Sequence, residues 1–143
     1  MTPIHLHRRV PYRPEQLFEV AADIKDYPRF LKNCVATRIV KQDGDVLWVD
    51  NVFRWGLFPF RFRTRAVLNQ PHRIDIETVD VETPSFRLSW AFWPKGALTE
   101  VQFTMAVDVA LPILGHMVSD SVRTEAEVIE KAFLRQVEQR YKT

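Results

Sequence analysis

His5 and His7 stand two residues apart, and on an extended segment that spacing turns both imidazoles to one face, half of a metal site. No third ligand accompanies them, so no metal is expected. His116 and Asp120 are one helical turn apart but fall on the polar side of their segment, where solvated neighbours are expected. Cys34, the single cysteine, would be nucleophilic as a thiolate; near a helix end among apolar residues it reads instead as a small core residue. Glu125 is the remaining candidate, because it occupies an apolar position of a helical repeat and a carboxyl withdrawn from water there can serve as general acid or base. No second group with an evident role supports it. The chain has no Gly-x-Ser-x-Gly elbow, phosphate loop, dinucleotide glycine pattern or Cys-x-x-Cys pair, so catalysis is not the expectation.

The element that must position Glu125 is the last one. From Pro112 to Lys142, apolar residues recur at Leu114, Met117, Val118, Val122, Ala126, Ile129, Ala132, Phe133 and Val137, the three-and-four spacing of one helix face. Pro112 suits a first helical position, whose N–H has no intrahelical partner. His116, Asp120, Arg123, Glu127, Glu130 and Arg140 form the face expected to be wet. Ser121, Glu125 and Gln136 fall inside the apolar stripe.

The preceding chain alternates like strands. Ile4 to Val10 predicts a short strand, Pro14 to Ile24 a helix with Leu17, Val20 and Ala21 on its apolar face, and Asp26 a cap for the turn Tyr27 to Leu31. Val35 to Lys41 leads to the turn signal Asp43-Gly44. Leu47, Val49, Asn51, Phe53 and Trp55 then share a face, which Phe58, Phe60, Phe62, Ala66 and Leu68 continue after a turn. Arg61, Arg63 and Arg65 lie opposite and are expected to meet Asp75 and Glu77 across the ladder. Phe86, Leu88, Trp90 and Phe92, and then Val101, Phe103, Met105 and Val107, complete the pattern. The prediction is an α+β fold in which a curved antiparallel sheet of about six to seven strands grips the long C-terminal helix.

At 143 residues with 46% hydrophobic and 27% charged content, one domain is expected. A net charge of +2 neither demands nor forbids an anionic partner. The lone cysteine, and the absence of a signal-like or membrane-spanning apolar run, lead to the expectation of a soluble cytoplasmic protein able to touch the inner face of a membrane.

Val10-Pro11-Tyr12, Glu15-Gln16-Leu17-Phe18, Asp23-Ile24 and Tyr27-Pro28-Arg29-Phe30-Leu31 followed by Cys34, with Trp90, Phe92 and Pro94 later, resemble the START-like helix-grip proteins of the coenzyme Q-binding branch. That group is also described as polyketide cyclase/dehydrase-like and as ribosome-association toxin homologues. The resemblance spans nearly the whole chain. It implies a domain that carries an isoprenoid quinone such as ubiquinone in support of respiration, with no resident cofactor. The alternatives it implies are a toxin-like protein acting on ribosomal subunit association and a cyclase or dehydratase using Glu125.

On the carrier reading, Phe53, Trp55, Phe60, Phe62, Phe86, Trp90, Phe92 and Phe103, with Met105, Leu114, Met117 and Val118, prop the sheet away from the helix and line a slot for an apolar ligand. Asn51, Ser121 and Glu125 are the expected head-group contacts, with Arg8 as the cation for Glu125. The turn around Trp55, Leu57 and Phe58, flanked by Arg54, Arg61, Arg63 and Arg65, is the expected contact with a membrane surface, or with RNA phosphates.

Overall fold

The computed structural model describes residues 3–55, 57–79, 85–108 and 115–142, with side chains for all of these except Trp55, Phe58 and residues 115–121. Strand β1 (Ile4–Val10) leads through helix α1 (Pro14–Ala22), a 3-10 turn (Ile24–Asp26) and the short α2 (Tyr27–Phe30) to β2 (Cys34–Asp43). β3 (Val46–Trp55), β4 (Phe58–Asn69), β5 (Arg73–Val79), β6 (Ser85–Lys95) and β7 (Leu98–Asp108) follow, and α3 (Gly115–Arg140) ends the described chain. The seven strands form one antiparallel sheet in the order β1-β7-β6-β5-β4-β3-β2. Each strand from β2 to β7 pairs with its sequence neighbour. Only β1 is recruited from a distance, onto β7.

This topology leaves β1 and β2 at opposite edges, so the helical segment between them must span the sheet. α1 packs against β5, β6 and α3, and α2 against β2 and α3. The Thr37 hydroxyl donates to the Ile24 carbonyl at 2.8 Å, fastening the segment to β2. Pro14 opens α1 as expected, and although Arg13 has no acceptor to cap it, Gln16 Oε1 accepts the Arg13 N–H at 2.9 Å. Asp26 does not cap α2. Its carboxylate is taken instead by Arg29 Nε and Nη2 at 2.9 and 2.8 Å, which hold the acid below its usual pKa. The β2–β3 turn places Gly44 at φ +59°, the conformation the Asp-Gly signal anticipates.

Two-residue alternation puts Leu47, Val49, Ala66, Ile74, Ile76, Trp90, Phe92, Val101, Phe103 and Met105 on the inner face, all buried. Val122, Ala126, Ile129, Phe133 and Val137 of α3 and Leu17, Phe18, Val20 and Ala21 of α1 cover them. Gln136 is buried within the α3 stripe, as its spacing predicted.

Among the described side chains the wet-face assignment fails at one position; those of His116 and Asp120 lie outside the described residues. Glu130 is buried at 1% exposure, because it lies four residues after Ala126 and three before Phe133, inside the stripe. The predicted start of the helix at Pro112 to Leu114 falls outside the described residues. No helix among the described residues is long and apolar enough to cross a membrane.

Candidate functional site

Strand register divides the concave face into rows running across the sheet. One row, Ile74–Trp90–Phe103–Leu6, forms the floor. Trp90 stacks on Phe103 with centroids 4.3 Å apart and lies against Phe133 of α3 at 4.1 Å; Phe92 and Phe133 stack at 6.1 Å. Trp90, Phe92, Phe103 and Met105, expected to line a slot, are thus buried in one cluster with Phe133 of α3, which Trp90 and Phe92 meet directly. They pack where α3 closes onto this end of the sheet.

The opposite end differs. Phe53 and Phe62 lie 5.5 Å apart on β3 and β4, and Phe62 meets Phe86 of β6 edge-on at 4.9 Å. All three stay partly exposed, and Phe60, opposite Phe53, is 37% exposed. Of the expected ligand residues, these four form one patch. The Trp55 side chain, Leu114 and the side chains of Met117, Val118 and Ser121 lie outside the described residues, as does that of Phe58 at the hairpin tip.

Between floor and patch runs a polar row that the alternation pattern only half revealed. Asn51 is buried, and its Nδ2 donates to the carbonyls of Val49 and Phe62 at 3.0 and 3.3 Å and contacts Thr64 Oγ1 at 3.0 Å. Thr64 is buried opposite Thr78, whose hydroxyl accepts the Phe86 N–H at 3.2 Å. Thr64 and Thr78 were missed. Their inward parity was readable beside Phe62 and Ile76, but a threonine gives no signal distinguishing a buried hydroxyl from a strand-forming methyl.

The carboxylates exchange their expected roles. Glu125 is half-buried and accepts from Asn33 Nδ2 at 2.8 Å, which ties α3 to the loop before β2. Arg8 is not its partner. Arg8 Nε donates to Glu130 Oε1 at 2.6 Å, and Glu130 Oε2 is buried without a hydrogen bond. The reason is topological: β1 lies at the edge far from the Asn33 loop, so its inward arginine reaches the Glu130 side of α3.

Outside, Arg65 meets Glu77 at 2.5 Å as expected, whereas Arg63 pairs with Asp50 at 2.7 Å, and Asp75 is held by Arg73 at 2.9 Å. Asp50 sits directly across the ladder from Arg63, closer in register than any acid of β5. At the tip, Leu57 is 92% exposed. Cys34 is buried, and desolvation pushes its thiol up to about 12, so it is held protonated at neutral pH. His5 meets Thr104 at 3.2 Å, and the described residues contain no group of three or more His, Cys, Asp or Glu able to hold a metal.

A seven-stranded antiparallel sheet curved around a long C-terminal helix, with aromatic rings lining its concave face, defines the START-like helix-grip class. Within it, the chain belongs to the family described as polyketide cyclase / dehydrase and lipid transport, whose model matches residues 10–134. It is 25% identical to the ribosome association toxin RatA of Rickettsia prowazekii (strain Madrid E) over 128 residues, covering 87% of this chain and 88% of that protein. Identity to RatA of Pseudomonas aeruginosa is also 25%, over 143 residues, 96% of this chain and 97% of the other. A START superfamily protein from Mycobacterium smegmatis superposes with a TM-score of 0.83 at 20% identity, covering 96% and 97% of the two chains. The Zhui aromatase/cyclase of Streptomyces sp. R1128 does so with 0.81 at 13%, covering 99% and 96%. At such identities these two structures establish the fold alone.

Proposed function

We propose that the chain binds a hydrophobic small molecule, an isoprenoid quinone, against the Phe53–Phe62–Phe86 patch and acts as its carrier. The observation that carries this reading is the split interior: a closed aromatic floor beside an aromatic patch left partly exposed, with the Asn51–Thr64–Thr78 row between them. An isoprenoid chain covering the patch removes apolar surface from water. About ten buried carbons contribute roughly 8 kcal/mol. Association costs of several kcal/mol leave about micromolar binding from apolar contact alone. The polar row is where a ketone or hydroxyl of a head group finds a hydrogen-bond partner. Leu57 at the hairpin tip gives the carrier an apolar contact with the bilayer in which such a ligand dissolves.

A carrier role is favoured over catalysis by the state of Glu125. Its carboxylate is bound by the Asn33 amide, which relays no protons, and among the described residues no acid or base is hydrogen-bonded or ion-paired to it. Organic extraction of the purified protein followed by mass spectrometry tests the proposal. A quinone at near-stoichiometric amount supports it, and a polar metabolite in its place returns the site to an enzyme.

A second reading is favoured by a specific observation: the curated relatives aligned along most of this chain carry the name ribosome association toxin. On that reading the chain acts on ribosomal subunits. A salt-sensitive shift of subunit sedimentation by the purified protein tests it.

A further inference from the structure

We infer that the outer face of β2, β3 and β4, on the opposite side of the sheet from the ligand patch, is a docking surface for the phosphate backbone of double-stranded RNA. Between Cys34 and Asn69 the chain carries six cations, Arg38, Lys41, Arg54, Arg61, Arg63 and Arg65, against Asp43, Asp45 and Asp50. This stretch therefore carries a net charge of +3, against +2 for the whole chain, so the excess positive charge of the protein lies here. Register shows how they are arrayed. Arg54 stands opposite Pro59, Arg61 opposite Val52, Arg63 opposite Asp50 with Arg38 beyond it, and Arg65 opposite Trp48 with Lys41 beyond it. These are four successive outward rows, two residues apart, hence about 6.8 Å per step and about 20 Å in all. Asp43 and Asp45 lie at the far turn, which leaves Asp50 as the acid within the array.

Arg63 and Arg65 have their carboxylates, Asp50 and Glu77, while Lys41 Nζ sits 4.8 Å over the Trp48 ring. Arg38, Arg54 and Arg61 are exposed and form no ion pair among the described residues. Exposed guanidinium groups present planar forks that suit phosphate oxygens.

The chemistry of the face selects the partner. A bilayer surface is held by cations together with apolar anchors. Within the array the outward Trp48 is half-buried with Lys41 over its ring, and the exposed apolar side chains of these strands lie off it: Val35 at the irregularity that opens β2, Ile39 opposite inward-facing Val49, and Phe60 on the inner face, with Leu57 beyond the strands. A nucleic-acid backbone needs only the cations, each contact releasing counterions. The choice of RNA among polyanions rests on the ribosome-directed reading. The ligand-carrier reading is independent, because its residues occupy the other face, and one molecule can serve both.

The test is binding of an RNA duplex of about 16 base pairs, the span of a double-stranded RNA-binding domain, by fluorescence anisotropy across a salt series. Wild type should bind with log affinity falling linearly against log salt. The Arg38→Gln/Arg54→Gln/Arg61→Gln variant should lose at least tenfold in affinity at low salt and show a slope shallower by about two to three. A control variant, Arg123→Gln/Lys131→Gln/Arg135→Gln, removes the same charge from exposed positions of α3 and should leave the slope unchanged.

Equal loss in both variants would reduce the effect to net charge and overturn the surface. So would tighter binding to a DNA duplex of equal length, or loss of phosphatidylglycerol-vesicle binding in the first variant with RNA binding intact. If wild type shifts ribosomal subunits and the first variant does so equally, the ribosome reading stands and this surface falls. Ligand recovered by extraction should be the same in all three proteins, which separates the inference from the carrier proposal.

Discussion

Arg8 reaches from the edge strand β1 to Glu130 in the middle of α3, Nε to Oε1 at 2.6 Å, joining positions 122 residues apart. The pair is asymmetric. Glu130 is 1% exposed and its Oε2 has no partner, whereas the Arg8 side chain is 49% exposed. Burying a carboxylate costs several kcal/mol, which its one charged hydrogen bond offsets in part. The ion pair therefore fixes which face of α3 meets β1 more than it adds stability.

Arg8→Met leaves that carboxylate buried with no cation and is expected to destabilise the fold by about 3 kcal/mol, the low end for a broken buried pair because the guanidinium already keeps contact with water. Arg8→Met/Glu130→Leu should restore wild-type stability or exceed it. Urea unfolding of both variants measures this. A single variant as stable as wild type would show that Glu130 is not held by Arg8 in solution.

Trp90 and Phe62 share the concave face and should behave oppositely. Trp90 contacts Phe103 and Phe133 and is 3% exposed, so Trp90→Ala is expected to cost about 3 to 5 kcal/mol. Phe62 is only partly buried, and Phe62→Ala should cost less than about 2 kcal/mol while strongly reducing the ligand recovered by extraction. Comparable stability losses with unchanged ligand would place Phe62 in the core as well.

Most of the architecture was readable because each strand has one wet and one dry face, which writes a period of two into Leu47 to Phe53 and Phe86 to Phe92. The helix followed in the same way from Val122 to Val137. What could not be read is pairing at a distance. Glu130 has the angular position of a core residue, but its charge argued for solvent, and only the arrival of β1 at β7 supplies the cation that lets it stay inside. The division between floor and patch is equally non-local. Trp90 and Phe62 carry the same signal on their strands, and the line that α3 takes over the sheet decides which ring is covered.

The Asn51–Thr64 contact gives a test of the head-group row. Removing one partner strands the other, so Asn51→Val alone is expected to cost about 1 to 3 kcal/mol. Replacing both, Asn51→Val/Thr64→Val, removes that donor and acceptor together and should recover part of the loss, the Val49 and Phe62 carbonyls losing the amide in either variant. Ligand recovered by extraction should stay low in the double variant, because the polar row has gone even though the fold has not. Full ligand recovery there would assign the head group elsewhere.

Alkaline pH should unfold this protein from a defined starting point. Burial raises the Cys34 thiol from 9.0 to about 12 and raises the Tyr27 phenol, whose hydroxyl donates to the Ala21 carbonyl. In both cases the folded state holds its proton more tightly than the unfolded chain does. The stability this contributes is complete below pH 9, where neither state ionises, and is lost as pH rises toward about 12, because the unfolded chain releases protons that the native fold retains. Urea midpoints should therefore be insensitive to these two groups up to pH 9 and fall beyond it. Cys34→Ala should flatten the first part of that fall and leave the later, tyrosine-dependent part. A fall of equal steepness from pH 9 in Cys34→Ala would mean that the thiol is solvated, and the packing of β2 against the Leu31 turn would have to be looser than the buried Cys34 implies.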